Sequence, residues 1–151
     1  MLRLNLKKEA YWVDLPSGVR VRVRPLSTAI MNAAQSTVIK QIKALQADEA
    51  AEIRPNLQNE DSRYGLSEAL LVKALAVAAI IEWEGVMNAA GDAPAPVDEQ
   101  CVYDLMDIWF VGQEFWKQYT TSYFALEVEG NESRPGANGT TAAGLPTAPA
   151  A

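Results

Sequence analysis

From Ala69 to Ile81 the chain carries a single charge, Lys73. A segment of that length with no polar face has no side to turn toward water, so as a helix it belongs at the centre of a bundle. The run is far shorter than the roughly 20 residues a membrane-crossing helix requires, and eight residues, Ala74 to Ile81, form its longest uninterrupted apolar part. Ser67 and Glu68 just before it suit a helix start, one as a cap and the other as an acidic first-turn residue. Gly85 then reads as the end of that helix, with Trp83 packed against its last turn. The loop that follows, rich in Gly and Pro, reads as a corner and not a site.

The other segments must cover that helix. At 10–24 the sequence AYWVDLPSGVRVRVR predicts a β-hairpin. Val19, Val21 and Val23 alternate with Arg20, Arg22 and Arg24, the period-2 pattern of a half-buried strand. The turn is signalled by Asp14-Leu15-Pro16-Ser17-Gly18, in which Pro fixes φ and Gly supplies a positive one. Tyr11 and Val13 share a face. LRLNL at 2–6 alternates as well and suggests a third strand. Ile30, Ala34, Val38, Ile42 and Leu45 make one stripe of a helix that begins near Ser27 or Thr28 and ends between 47 and 53. Residues 54–65 are polar and read as a loop. Asp98 and Glu99 start a further helix with Cys101, Val102, Leu105 and Met106 inside.

The last helical stretch, from about Ile108 to Val128, is read as possible to join to the preceding one. It holds seven of the twelve aromatic residues: Trp109, Phe110, Phe115, Trp116, Tyr119, Tyr123 and Phe124. Val111, Phe115, Tyr119 and Tyr123 form one stripe; Trp109, Trp116 and Phe124 spread beyond it. That excess over a core stripe points to an apolar surface for another protein, since aromatic residues are enriched at interface hot spots. Trp109, Trp116 and Tyr123 are the candidate contacts. Beyond Gly130 little remains to bury, which predicts a disordered tail at 130–151 after an α-rich domain at 1–129. The expected fold is mainly α: an N-terminal β-hairpin, then a bundle of three to four helices.

Several chemistries find no support. The chain has no His, so the usual triads and most zinc patterns are absent. The carboxylates Glu82, Glu84, Asp104, Asp107 and Glu114 lack the His that helical carboxylate metal sites recruit, and read as solvated faces. Cys101, the single cysteine, sits on an apolar helix face without a neighbouring cation and reads as a small buried hydrophobe. No Gly-rich phosphate loop occurs. No cofactor is expected. Asn131-Glu132-Ser133 and Asn138-Gly139-Thr140 match the glycosylation pattern, but residues 1–10 show no apolar run of signal-peptide length, so no secretory leader is expected and they read as chance matches.

Net charge is −6, unevenly spread. Residues 1–54 hold nine Lys/Arg against five Asp/Glu; residues 55–151 hold four against fourteen. The acidic part disfavours nucleic acid, whose phosphates it would repel. Arg20, Arg22 and Arg24 stand about 7 Å apart on one strand face. They form a candidate grip for an acidic partner, or for the chain's own acidic half. The sequence leaves open whether copies of the chain associate.

WEGV at 83–86, Gly91 followed by PAPV at 94–97, the Phe115…Tyr119 helix and EGNESRPGANGTTAAG at 129–144 resemble, in that order, the tail assembly chaperones of long-tailed bacteriophages and prophages. The resemblance implies a protein without catalysis. It would bind the helix-rich tape measure protein and recruit tail tube subunits in the host cytoplasm, and leave before the virion is complete. A longer form made by frameshifting is also usual in such proteins. The family has no catalytic motif, so no active-site residue carries over. The alternative is a structural virion component, such as a head–tail connector or minor tail protein.

Overall fold

A computed structural model describes residues 4, 6–47 and 59–132, with side chains as far as Thr121. The fold is mainly α. In chain order come β1 (Tyr11–Asp14), β2 (Arg20–Val23), α1 (Thr28–Ala47), α2 (Glu60–Ala79), β3 (Ile80–Glu84), α3 (Glu99–Asp107) and α4 (Trp109–Glu132). The chain divides into two compact units, residues 6–120 and a second one made of residues 1–5 and 121–151. The expected tail falls outside the described residues except at its start, where the helical backbone of α4 continues to Glu132.

The hairpin forms as its pattern predicts. Tyr11 pairs with Val23 and Val13 with Val21 on one face, while Trp12 pairs with Arg22 and Asp14 with Arg20 on the other. Val13, Val21 and Val23 are buried. The turn closes with Leu15 N–H donating to the Val19 carbonyl at 2.8 Å. Both Ser17 (φ 64) and Gly18 (φ 75) adopt left-handed conformations there.

The strand expected at 2–6 is not seen at the two residues described there. Residues 2, 3 and 5 lie outside the described residues, and Leu4 and Leu6 are not in a strand. The third strand is β3, which the apolar run had placed inside a helix. α2 stops at Ala79, and Ile80 turns to extended backbone (φ −73, ψ 124). β3 then pairs antiparallel with β2: Arg20 opposite Glu84, Val21 opposite Trp83, Arg22 opposite Glu82, Val23 opposite Ile80, with a bulge at the last step. The order β1-β2-β3 puts the hairpin's second strand in the middle of the sheet. Two local features favour this outcome. Ile80 and Ile81 are β-branched, and Glu82-Trp83-Glu84 alternates with the period of a strand. Gly85 ends β3 and not a helix. Its φ is +80, and a Cβ there would collide with the Gly18 carbonyl, so the hairpin turn and the end of β3 can touch only across a glycine.

α1 buries Ala34 and Val38, with Ile30, Ile42 and Leu45 half-buried along the expected stripe. Ser27 caps it, accepting from the Ile30 N–H at 3.2 Å. α2 starts earlier than Ser67. The cap is Asn59, whose side chain accepts from Asp61 and Ser62 N–H groups, with Glu60 and Asp61 in the first turn. Ser67 lies two turns inside. The core end of α2 is Ala74, Leu75, Ala76 and Ala79; its earlier apolar residues are only partly covered. α3 and α4 are separate helices, broken at Ile108 (φ −72, ψ 101). On α4, Val111, Phe115 and Tyr119 are fully buried, and the Phe115 and Tyr119 rings stack at 5.2 Å.

Candidate functional site

The break at Ile108 lets α4 turn back beside α2. The turn depends on Gly112, where an added Cβ would stand 2.6 Å from the Met106 carbonyl oxygen. With that backbone approach in place, α2 and the α3–α4 corner do not close on each other. A cleft of about 590 Å³ remains between them. Such a volume lies within the roughly 300–1,000 Å³ usual for ligand sites.

The cleft is mainly apolar. Leu71, Val72, Met106, Trp109 and Trp116 line it, with Gly65 and Ala69 on the α2 side. Trp109 is 70% exposed and Phe110 41%, and their rings meet edge to face at 6.0 Å. Ile108 is also exposed. A run of three large apolar residues in water at a helix start is unusual, since burying such side chains stabilises a fold by about 1.5–3 kcal/mol each.

The polar part is small. Lys73, mostly covered, reaches Asp107 at 2.6 Å and lies 5.6 Å from the centre of the Tyr103 ring. The single charge of the apolar run is thereby tied to the end of α3. Glu68, also on α2, lines the cleft as well. Its hydrogen bond, and then its charge, push the exposed Tyr64 phenol above its ordinary value.

Of the sequence candidates, the cleft brings together Trp109 and Trp116. The Tyr123 side chain lies outside the described residues. The three arginines are elsewhere, and each has a partner within the chain. Arg20 bonds Asp14 at 2.7 Å and approaches Glu84 at 3.6 Å; Arg22 approaches Glu82 at 3.6 Å. Arg24 donates to the Ala78 carbonyl at 2.9 Å. The ladder thus meets the chain's own acidic half, across β3. Because those groups keep about half their exposure, their pairs contribute little to stability.

The carboxylates do not converge. Glu82 and Glu84 lie on the sheet's charged face. Asp104 accepts from Gln100, and Glu114 accepts from Gln118 and approaches Lys117. Among the described residues no group of His, Cys, Asp or Glu is placed to hold a metal ion. Cys101 is half-buried. A hydrogen bond with Asp98, followed by burial and nearby carboxylate charge, pushes its thiol up, which disfavours the nucleophilic thiolate.

The loop of 86–95 folds as a compact hairpin. The Asn88 side-chain oxygen accepts from the Gly91 and Asp92 N–H groups, and its amide donates to Asp92. Ala95 N–H donates to the Val86 carbonyl, and the Trp83 indole N–H donates to the Ala95 carbonyl, both at 2.9 Å. It is a corner held by its own hydrogen bonds.

Sequence reasoning did not single out Gly65, Val72 or Lys73 as belonging to one site with the tryptophans. The signal available was the excess of apolar residues on the first half of α2, more than a core face needs. Among the described residues no helix is long and apolar enough to cross a membrane. The chain matches no family model, no curated protein and no solved structure.

Proposed function

We propose that this chain is a protein-binding chaperone of phage tail assembly, acting without chemistry of its own. Its client would be the helix-rich tape measure protein, and it would also recruit tail tube subunits. The observation that carries the binding role is the cleft between α2 and α4, with Trp109 standing exposed at its mouth and Trp116 along its wall. An apolar, aromatic-lined groove between helices is the form used to take up an amphipathic helix. Covering such a helix during assembly would keep its apolar face from aggregating. The resemblance at 83–86, 94–97 and 129–144 supplies the phage assignment, and the acidic chain fits a role away from nucleic acid.

Co-expression with a phage tape measure protein tests the reading. The expected result is a soluble complex that elutes together, lost with Trp109→Ala. If the tape measure protein stays insoluble and no complex elutes, the chaperone reading fails. Mass spectrometry of purified virions addresses the structural alternative. A chaperone is absent from them, whereas a connector or minor tail protein is present at fixed stoichiometry.

A further inference from the structure

Resting on the reading of this cleft as a protein-binding site, we propose that its occupant is a basic amphipathic α-helix of another protein, seated against α2 at Gly65. Two features of the cleft specify that occupant. The first is its charge. Three charged side chains line it: Glu68, Asp107 and Lys73. Lys73 is already committed to Asp107 at 2.6 Å, which leaves the lining net acidic. Asp104, one turn before Asp107, adds the same sign along α3. The nearby Lys117 is on α4 beside Glu114, at 4.0 Å. A helix with Lys or Arg flanking its apolar face meets complementary charge here, and an acidic one meets repulsion.

The second feature is Gly65. It lies within α2, where glycine weakens a helix relative to alanine. Unlike Gly112, it has no neighbour that a Cβ would meet: nothing stands within 4 Å. The fold therefore gives no reason for a glycine here. Gly65 and Ala69, one turn apart, leave the α2 backbone bare along the cleft, so a second helix can approach closely. The α2 lining from Gly65 to Lys73 spans about 12 Å at a helix's rise per residue. That length accepts two turns of a docked helix, with apolar anchors at i, i+3 or i+4, and i+7.

The test uses the full chain and two tryptophan-free peptides of about 20 residues, long enough to form helix. Both carry the same Leu/Ala apolar face, one with Lys on its flanks and the other with Glu. Indole N–H signals of the protein, assigned by Trp→Phe variants, report where a peptide binds. The Lys peptide is expected to shift Trp109 and Trp116 and leave Trp12 and Trp83 in place; the Glu peptide is expected to shift none. Glu68→Lys should weaken binding by about tenfold. Gly65→Leu, which the open space around it allows without loss of fold, should abolish binding. Equal binding of the two peptides overturns the proposal. So do binding that survives Gly65→Leu, and a dimer of the chain that Gly65→Leu dissociates. Failure here is separable from failure of the chaperone reading. Tape measure capture that survives Gly65→Leu sinks only the occupant, whereas Lys-peptide binding without tape measure capture sinks only the chaperone.

Discussion

The Arg24 guanidinium donates to the carbonyl of Ala78, 54 positions later, at 2.9 Å, and the Arg24 backbone N–H donates to the Ala79 carbonyl at 2.8 Å. One residue thus occupies two carbonyls that the last turn of α2 leaves unpaired, and sets a positive charge at the negative end of that helix. The Tyr119 hydroxyl donates to the Arg24 carbonyl at 2.8 Å, so β2, α2 and α4 meet at this point. The residue that reads as the third rung of a charged ladder is a helix cap.

Arg24→Met should therefore cost stability, by about 1 kcal/mol for the lost charged hydrogen bond and dipole contact. Arg24→Lys should restore part of it, since the charge remains. Urea titration checks both. A neutral result for Arg24→Met would mean that water replaces the guanidinium without loss.

The two glycines of the cleft should respond in opposite directions to alanine. Gly112→Ala forces a methyl against the Met106 carbonyl and should destabilise by about 1–3 kcal/mol, as overpacking does. Gly65→Ala meets open space and should stabilise by about 0.5–1 kcal/mol. Thermal melts of the two variants side by side decide the matter.

Trp109 and Phe115 provide a similar contrast among the aromatics. Trp109→Ala should change stability by no more than about 0.5 kcal/mol, because the ring is largely in water. The same change should weaken partner binding by about 2 kcal/mol if the ring anchors a partner. Phe115→Ala empties a fully buried position and should cost about 3–5 kcal/mol. A large stability loss for Trp109→Ala would show that its ring is part of the core.

Asp98 caps α3 and accepts from the Cys101 N–H at 2.8 Å. That hydrogen bond holds its carboxyl below the ordinary value. A depressed folded pKa means that the stabilisation is complete above the unfolded value and is lost as pH falls through the folded one. The chain should melt progressively earlier on acidification below the ordinary carboxylate range. In Asp98→Asn, whose amide oxygen still caps, that part of the pH dependence should vanish. An unchanged acid limb in Asp98→Asn would remove Asp98 as its source.

Much of the architecture was legible because it is written in periodicity. The Val/Arg alternation of 19–24 specifies a strand with one face inward, and the stripes of 30–45 and 111–119 specify which side of α1 and α4 is buried. The start of α2 was misplaced: the polar run 54–65 read as a loop with Ser67 as cap, whereas Asn59 caps the helix and Glu60 and Asp61 form its first turn. The proposed docking role of Trp109 and Trp116 rests in the sequence on aromatic residues in excess of one stripe. That they share a cleft with Gly65 and Lys73, forty residues away, was not signalled, because no local pattern encodes which helix faces which.

By itself the sequence determined which segments are amphipathic, which side of each is buried, and where the hairpin turns. Those properties follow from neighbouring residues alone. Tertiary structure decided the fate of Ile80–Glu84. Either helix or strand could bury Ile80, and the open edge of β2, with Arg20 and Arg22 waiting for carboxylates, selected the strand. It also decided that Lys73 would hold Asp107 and that Gly112 would bring α4 against α3. The cleft lies beside that backbone contact, with Gly112 among its lining residues.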